Sequence, residues 1–174
     1  MKKLLLAVLL FGFASLFSQP SAYASPILSQ DILLNNNGTI QSIGFVSVNV
    51  ADSFDWGAPT YASDSWLELE LFGFQFMQSF GDTFEALFDI NNLVAGFEFL
   101  QFDVLDPVTG FAFQGFFDTD FGFGFLDVFS APDESLIAFF DTVFLGNTSV
   151  AVPVPATFGL MLLALFGLAL RRRA

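Results

Sequence analysis

Carboxylates are the only side chains in the middle of this 174-residue sequence that could act as acids, bases or metal ligands. The chain contains 18 Asp and Glu residues, no His and no Cys, and its 5 Lys and Arg residues all lie at the two ends. Imidazole and thiol catalysis are therefore excluded, and the middle has no cationic side chain to stabilise an oxyanion. A pair of carboxylates could still serve a glycosidase or an aspartic dyad.

Three pairs of neighbouring carboxylates are candidates for such chemistry: Glu68 with Glu70, Asp103 with Asp106, and Asp118 with Asp120. Glu68 and Glu70 alternate with leucines, so on a strand they would face solvent while the leucines face the core. The Asp-Thr-Gly and Asp-Ser-Gly sequences of aspartic proteases do not occur in the chain. We therefore predict a protein without enzymatic activity, and keep a hydrolase that uses only carboxylates as an alternative.

Calcium binding is a sharper hypothesis for the same residue type, because Ca2+ is held by oxygen ligands from carboxylates, carbonyls and water. Two acidic turns could supply such ligands, one with Asp118 and Asp120 and the other with Asp133 and Glu134. The sequence contains no EF-hand loop and no glycine-rich nonapeptide array. A solvated acidic turn is the alternative interpretation. Ca2+ is thus the one candidate cofactor.

The segment 25–152 holds all 18 carboxylates and none of the basic residues, so its formal charge is −18, against −13 for the whole chain. Nucleic acid is excluded as a partner because phosphate binding requires Lys or Arg. Anionic bilayer surfaces are excluded as charge-driven partners for the same reason. The chain also contains 27 Phe, and this apolar content is sufficient for a folded core beneath an acidic surface.

Apolar residues alternate with a period of two along several segments, which predicts β-strands. The clearest examples are 111–117 and 121–129. An Asn-Asn-Gly sequence at 36–38 predicts a hairpin between 27–34 and 40–50, because Asn and Gly tolerate positive φ. Short strands separated by turn residues indicate an all-β fold, an antiparallel sandwich or roll.

Other stretches of this domain, which we place at residues 25–150, are interpreted differently. The segment 52–65 is rich in Asp, Ser, Gly and Pro and predicts a long loop, whose Trp56 and Tyr61 are candidates for carbohydrate binding. The segment 83–90 could form a short helix. The apolar alternation changes phase after position 71, which indicates a bulge or a turn near Gly73.

The N-terminal residues 1–24 have the three parts of a signal peptide. Two lysines open the chain, an apolar run covers 4–17, and Ala22 and Ala24 present small side chains where signal peptidase cuts. The apolar run is shorter than the roughly 20 residues that span a bilayer, although a permanent anchor is the alternative. We expect cleavage before Ser25. No Cys follows the signal, so a lipoprotein is excluded.

The C-terminal residues 151–174 combine a proline motif, an apolar run and a basic cluster. The motif is Val152, Pro153, Val154, Pro155 and Ala156, and the chain closes on Arg171, Arg172 and Arg173 before a final Ala. The apolar run 158–170 predicts a transmembrane helix of roughly 20 Å, shorter than a hydrocarbon core of about 30 Å. The positive-inside rule places the arginines on the cytoplasmic side, in agreement with an exported N-terminus.

This three-part tail resembles the PEP-CTERM sorting signal of Gram-negative bacteria. In that family the tail holds the exported protein in the inner membrane until exosortase cuts near the motif. The protein then passes to the cell surface or the exopolysaccharide matrix. The family's usual Val-Pro-Glu-Pro is Val-Pro-Val-Pro here, with Val154 in place of Glu, and resembles the variant in which an aliphatic residue separates the prolines and Ala follows. A single-pass anchor that is never cut is the alternative.

The sequence as a whole predicts an exported, acidic β-domain with a structural or interactive role at the cell surface or in the extracellular matrix. The resemblance implies signal peptidase and exosortase as partners during export, and a transient anchorage of the protein in the inner membrane. The alternative is a carbohydrate- or calcium-binding module of the exopolysaccharide matrix.

Overall fold

Nearly all of the alternating segments form β-strands in a computed structural model, which describes residues 25–79 and 81–152. This part of the chain contains no α-helix, only strands and two short 3-10 turns, Val50–Asp52 and Leu93–Ala95. The strands are β1 (Ile27–Asn36), β2 (Thr39–Asn49), β3 (Phe54–Gly57), β4 (Thr60–Ser63), β5 (Glu68–Leu71), β6 (Phe74–Phe76), β7 (Thr83–Asp89), β8 (Phe97–Asp106), β9 (Phe111–Asp118), β10 (Phe123–Ser130), β11 (Ser135–Phe140) and β12 (Val143–Ala151).

The strands form two antiparallel sheets. The smaller sheet has five strands in the order β12-β1-β2-β5-β6, and the larger has seven in the order β11-β10-β9-β8-β7-β4-β3. Buried side chains from both sheets belong to one hydrophobic core. For example, Phe76 of the smaller sheet packs edge-on against Phe113 of the larger, with 5.2 Å between ring centroids. The predicted all-β antiparallel class is confirmed, and the two sheets are consistent with the predicted sandwich.

The largest fully buried side chains of the core come from the larger sheet. Five phenylalanines are at most 2% exposed, and we call them the inner cluster: Phe88, Phe97, Phe102, Phe113 and Phe117. They come from β7, β8 and β9, and on β9 the buried residues alternate with the residues that face outward. Burial of each such ring stabilises the fold by roughly 1.5–3 kcal/mol, so this cluster is a main source of stability.

The predicted hairpin between β1 and β2 is confirmed. Asn37 and Gly38 occupy the turn with φ of 52° and 89°, the two positive values of a type I′ turn. The predicted bulge or turn near Gly73 is a turn of the same kind, since Phe72 and Gly73 have φ of 51° and 84° and connect β5 to β6. The change of apolar phase marks the point where the chain reverses.

Two sequence interpretations are wrong. The segment 52–65 is not a loop throughout, because it contains the hairpin β3–β4, and β4 pairs with β7. The strands of this hairpin have four residues each, too few to show a clear period. The segment 83–90 is not a helix either: β7 lies between β4 and β8, and buries Phe84 and Phe88 on one face. Pairing on both sides overrides the local sequence preference.

One buried polar side chain links the two sheets. Gln30 of β1 is 5% exposed, and its Oε1 accepts a hydrogen bond of 2.8 Å from the backbone N–H of Phe97 in the larger sheet. Its Nε2 donates to the carbonyl of Gly146 in β12, at 3.1 Å. Both ends of the buried amide are therefore satisfied, as burial of a polar group requires.

Candidate functional site

A row of aromatic rings crosses the outer face of the larger sheet. Four adjacent strands, β8 to β11, each contribute one ring to it: Phe99, Phe116, Phe125 and Phe139. We call these four residues the outer row. Phe99 meets Phe116 edge-on at 5.1 Å, and Phe116 stacks on Phe125 at 5.6 Å with an interplanar angle of 7°. Phe139 continues the row at 6.5 Å from Phe125. These distances lie in the range of favourable aromatic pairs.

Strand parity places these rings outside the core. On β10 the residues Gly124 and Leu126 face inward and are buried, so Phe125 between them faces outward. Gly124 is needed on the inner face, since a Cβ there would lie 2.7 Å from the backbone oxygen of Val143. Phe123 stands beside the row at 5.7 Å from Phe116 and is 52% exposed, while Phe139 is 57% exposed. The rings thus form a contiguous, partly solvent-exposed aromatic surface.

A line of polar side chains lies on the same face and meets the outer row at Phe139. Asp103 of β8, Gln114 of β9 and Asp127 of β10 are direct cross-strand neighbours, and we call them the polar row. Gln114 donates from Nε2 to Oδ2 of Asp103 at 2.9 Å. The polar row is two residues along the strands from the stacked pair Phe116 and Phe125, a distance of roughly 7 Å.

Asp127 differs from the other carboxylates of this face. Among the described residues, its Oδ1 is buried and accepts no hydrogen bond. Its cross-strand neighbours are Gln114, whose amide is directed to Asp103, and Phe139. Burial raises the pKa of Asp127 above its ordinary value. The partly exposed carboxylate of Asp127, with no cation beside it in residues 25–152, is suited to interact with a cationic donor.

The four residues predicted to hold calcium are divided between two turns. Asp118 and Asp120 lie where β9 turns into β10, whereas Asp133 and Glu134 lie where β10 turns into β11. The two turns are at opposite ends of β10, roughly 25 Å apart for a strand of this length. The structure therefore does not bring these residues together.

In each turn one carboxylate, that of Asp118 or of Asp133, already accepts hydrogen bonds from the backbone. Oδ1 of Asp118 accepts from the N–H groups of Asp120 and Phe121, both at 3.1 Å. Hydrogen bonds from the Ser130 and Ser135 hydroxyls and the Ser135 N–H lower the pKa of Asp133. Over residues 25–79 and 81–152 no group of three or more acidic side chains is arranged to hold a metal ion. Calcium binding stays a prediction.

The carboxylate pairs considered for catalysis also lie at the surface. Glu68 and Glu70 line a cleft of about 220 Å3 on the outer face of the smaller sheet. Another cleft, of about 260 Å3, lies beside Phe123 and Phe144. Both are smaller than the roughly 300–1,000 Å3 typical of small-molecule sites.

Asp106 caps the β8–β9 turn, where hydrogen bonds from Thr109 and Val108 lower its pKa. The hydrogen bond from the Thr109 hydroxyl has the largest effect.

Trp56 and Tyr61, the aromatic pair predicted to bind carbohydrate, lie on the two paired strands of the β3–β4 hairpin. Tyr61 packs against the core, whereas Trp56 is 59% exposed and lies beside Phe54, at 6.4 Å between centroids. They do not form one platform. The outer row was missed at the sequence level, although the alternation of Phe121, Phe123 and Phe125 with glycines was the available signal.

Most residues of the two terminal signals lie outside the described part of the chain. These are Ala22, Ala24, Pro153, Val154, Pro155, Ala156, Arg171, Arg172 and Arg173, together with the predicted helix 158–170. Val152 is described: it directly follows β12 and is 61% exposed. Among the described residues, no helix has the length and apolar character needed to cross a membrane.

A comparison of the chain with protein-family models, with curated proteins and with solved structures finds no match.

Proposed function

We propose that this chain is an exported, non-catalytic interaction protein that acts at the cell surface or in the exopolysaccharide matrix of a Gram-negative bacterium. The outer row is the observation that carries the proposal. Large contiguous apolar patches are uncommon on soluble monomers and usually mark interaction sites. A row of partly exposed rings across four strands is a patch of this kind.

The charge of the domain supports a role in a crowded external layer. The segment 25–152 carries 18 carboxylates and no basic side chain, so copies of the protein repel one another. This repulsion discourages edge pairing between Phe-rich strands, for example at β11, which ends the larger sheet and exposes Leu136 and Ile137. The protein can then present apolar rings without aggregating.

The two terminal signals define the route by which the protein would be exported to the cell surface. Signal peptidase would cut before Ser25, the apolar tail would hold the protein in the inner membrane, and exosortase would act near the motif that starts at Val152. The pairing of Ile27 with Ala151 supports this route, because the two expected processing points then emerge side by side from one end of the domain. Removal of both signals would leave the sandwich intact.

The route is tested by fractionating cells that express the protein and sequencing both ends of the recovered chain. We expect the protein outside the inner membrane, with Ser25 as its first residue and a new C-terminus near Val152. Replacement of Pro153 and Pro155 by Ala should retain the protein in the inner membrane, whereas replacement of Pro132, in the β10–β11 turn, should not. Recovery of the intact chain with its arginines from the cytosol would refute the proposal.

A further inference from the structure

We infer that the outer row and the polar row together bind a cationic polysaccharide built from amino sugars. The apolar faces of the sugar rings would lie on the phenylalanines, and the ammonium groups would meet the carboxylates beside them. The inference deepens the proposed function and rests on it, because it names the class of matrix polymer that the domain would recognise.

The geometry of the outer row fits a linear polymer of rings. One phenylalanine stands on each of four neighbouring strands, and successive ring centroids are 5.1, 5.6 and 6.5 Å apart. The row crosses the strands obliquely on one face, because Phe99 lies opposite Asp118 and Phe139 lies opposite Asp127. A chain of repeating sugar rings can lie along such a line, each ring against an aromatic neighbour.

The polar row supplies the charge complementarity. Asp103 and Asp127 lie on the same face as the aromatic rings and flank Gln114. Asp127 is partly exposed, and its buried Oδ1 has no hydrogen-bond partner among the described residues, so the charge of this carboxylate is incompletely compensated and an ammonium group at its exposed side would stabilise it. Sugar hydroxyls could bond to Gln114, whose amide carbonyl oxygen accepts no hydrogen bond from the described residues. An ammonium close to a phenylalanine face also gains cation–π attraction.

Other occupants fit this surface less well. Peptides usually add a strand at a sheet edge or lay a helix in a groove, and the centre of an open sheet face offers neither. A second copy of the domain would bring another −18 charge against this one. Anionic polymers and anionic lipid surfaces meet the same repulsion. A neutral glycan would use the rings but leave the unpaired carboxylate of Asp127 buried.

The test is a binding measurement with the full chain, purified in a neutral detergent so that the result does not depend on export. Fluorescent glucosamine oligomers are the probe. The same oligomers after N-acetylation keep the rings but lose the charge, and poly-lysine keeps the charge but lacks the rings. We expect the glucosamine oligomers to bind more tightly than either, with an affinity that falls as salt is added.

Matched variants assign the binding to the two rows. Phe116→Ala combined with Phe125→Ala should weaken glucosamine binding roughly tenfold, whereas Phe121→Ala, an 83% exposed ring in the β9–β10 turn, should not change it. Asp127→Asn should weaken binding of the charged oligomer about fivefold and leave binding of the acetylated oligomer unchanged. Asp64→Asn removes the same charge at a residue outside the two rows and is the matched control. Where the double variant fails to fold, Phe123→Ala replaces it.

Three results would overturn the inference: no binding of the glucosamine oligomers, equal binding of the acetylated oligomers, or poly-lysine binding that matches glucosamine binding and ignores the phenylalanine changes. The last result would mean that the carboxylates attract any polycation. None of these results bears on export, and a failure of export would leave the binding measurement valid. The two proposals can thus fail separately.

Discussion

Phenylalanine has different roles on the inner and outer faces of the larger sheet. The inner cluster contains five buried phenylalanines, and the outer row with Phe123 contains five that are partly or largely exposed. Phe116 and Phe117 are neighbours in the chain but belong to opposite faces. The inner rings belong to the core between the two sheets, whereas the outer rings pack against one another on the opposite face of the larger sheet. A high Phe content therefore does not measure the size of the core here.

The polar groups of the two faces differ in the same way. Gln30, inside, has hydrogen-bond partners at both ends of its amide. Asp127, outside, has a buried oxygen with no partner in the described residues. A buried interior amide must be paired because water cannot reach it. Asp127 is partly exposed, so the charge of its carboxylate remains open to solvent or a ligand although Oδ1 itself is buried.

The largest expected effect is on the inner face. Phe117→Ala removes a ring that is 1% exposed and packs against Phe102, so it should lower the free energy of unfolding by about 3–5 kcal/mol. The neighbouring Phe116→Ala is the matched control and should cost much less. Urea denaturation followed by tryptophan fluorescence measures both. Equal losses would show that the outer row is part of the core in energetic terms.

A second substitution tests the polar link between the sheets. Gln30→Leu has a similar volume but leaves the N–H of Phe97 and the carbonyl of Gly146 without partners. Each unsatisfied buried group costs about 1–3 kcal/mol, so the total loss should be about 3 kcal/mol. Chemical denaturation of the variant provides the measurement, with the exposed Gln101→Leu as control. A loss below that of the control would mean that water replaces the missing amide.

The outer row should contribute little to folding. Phe125→Ala loses its stacking on Phe116 and part of its burial, so the free energy of unfolding should fall by about 1 kcal/mol. The same variant should show the binding defect described above. A thermal melt beside the binding assay separates the two properties. A loss of stability as large as that of Phe117→Ala would remove the distinction between the faces.

Asp127→Asn should make the domain slightly more stable at neutral pH. Burial raises the pKa of Asp127 in the folded state, so the protonated form favours folding and this contribution is lost as the pH rises through the folded pKa. The amide stays neutral, and the gain should be about 0.5 kcal/mol at pH 7. Asp103 of β8 lies on the same face and is separated from Asp127 by Gln114 of β9. Melting curves at pH 7 and pH 3 should show the gain at pH 7 and none at pH 3.

Calcium should act at the acidic surface turns and should change stability less than any of the substitutions above. If either acidic turn at the ends of β10 binds Ca2+, a concentration near the dissociation constant should raise the melting temperature by about 1–2 °C. NaCl of matched ionic strength should raise it less. Equal shifts would mean that both salts merely screen the carboxylates. Asp120→Asn and Glu134→Gln, tested separately, would then identify the turn responsible for any specific effect.

Local patterns were sufficient to predict much of the fold. The Asn-Gly turn after β1 and the alternation along β9 and β10 each depend on residues that are close in the chain. The prediction was wrong for β7 and for the β3–β4 hairpin, where short strands depend on distant partners: Ala62 lies opposite Leu87, and Phe84 opposite Phe102. Of the candidate site, the sequence indicated the acidic turns but not the outer row.

The sequence by itself determined the all-β fold class, the large negative charge of residues 25–152 and the expectation of export, because composition and short-range pattern carry that information. It also determined that some strands have phenylalanines on both faces, and that β10 has phenylalanines on one face and a glycine on the other. Only the tertiary structure decided which face is buried, since either face of β10 is apolar enough to enter a core. The row Phe99, Phe116, Phe125 and Phe139 exists because strand order and register place four distant segments side by side, and that pairing is set by the packing of the whole domain.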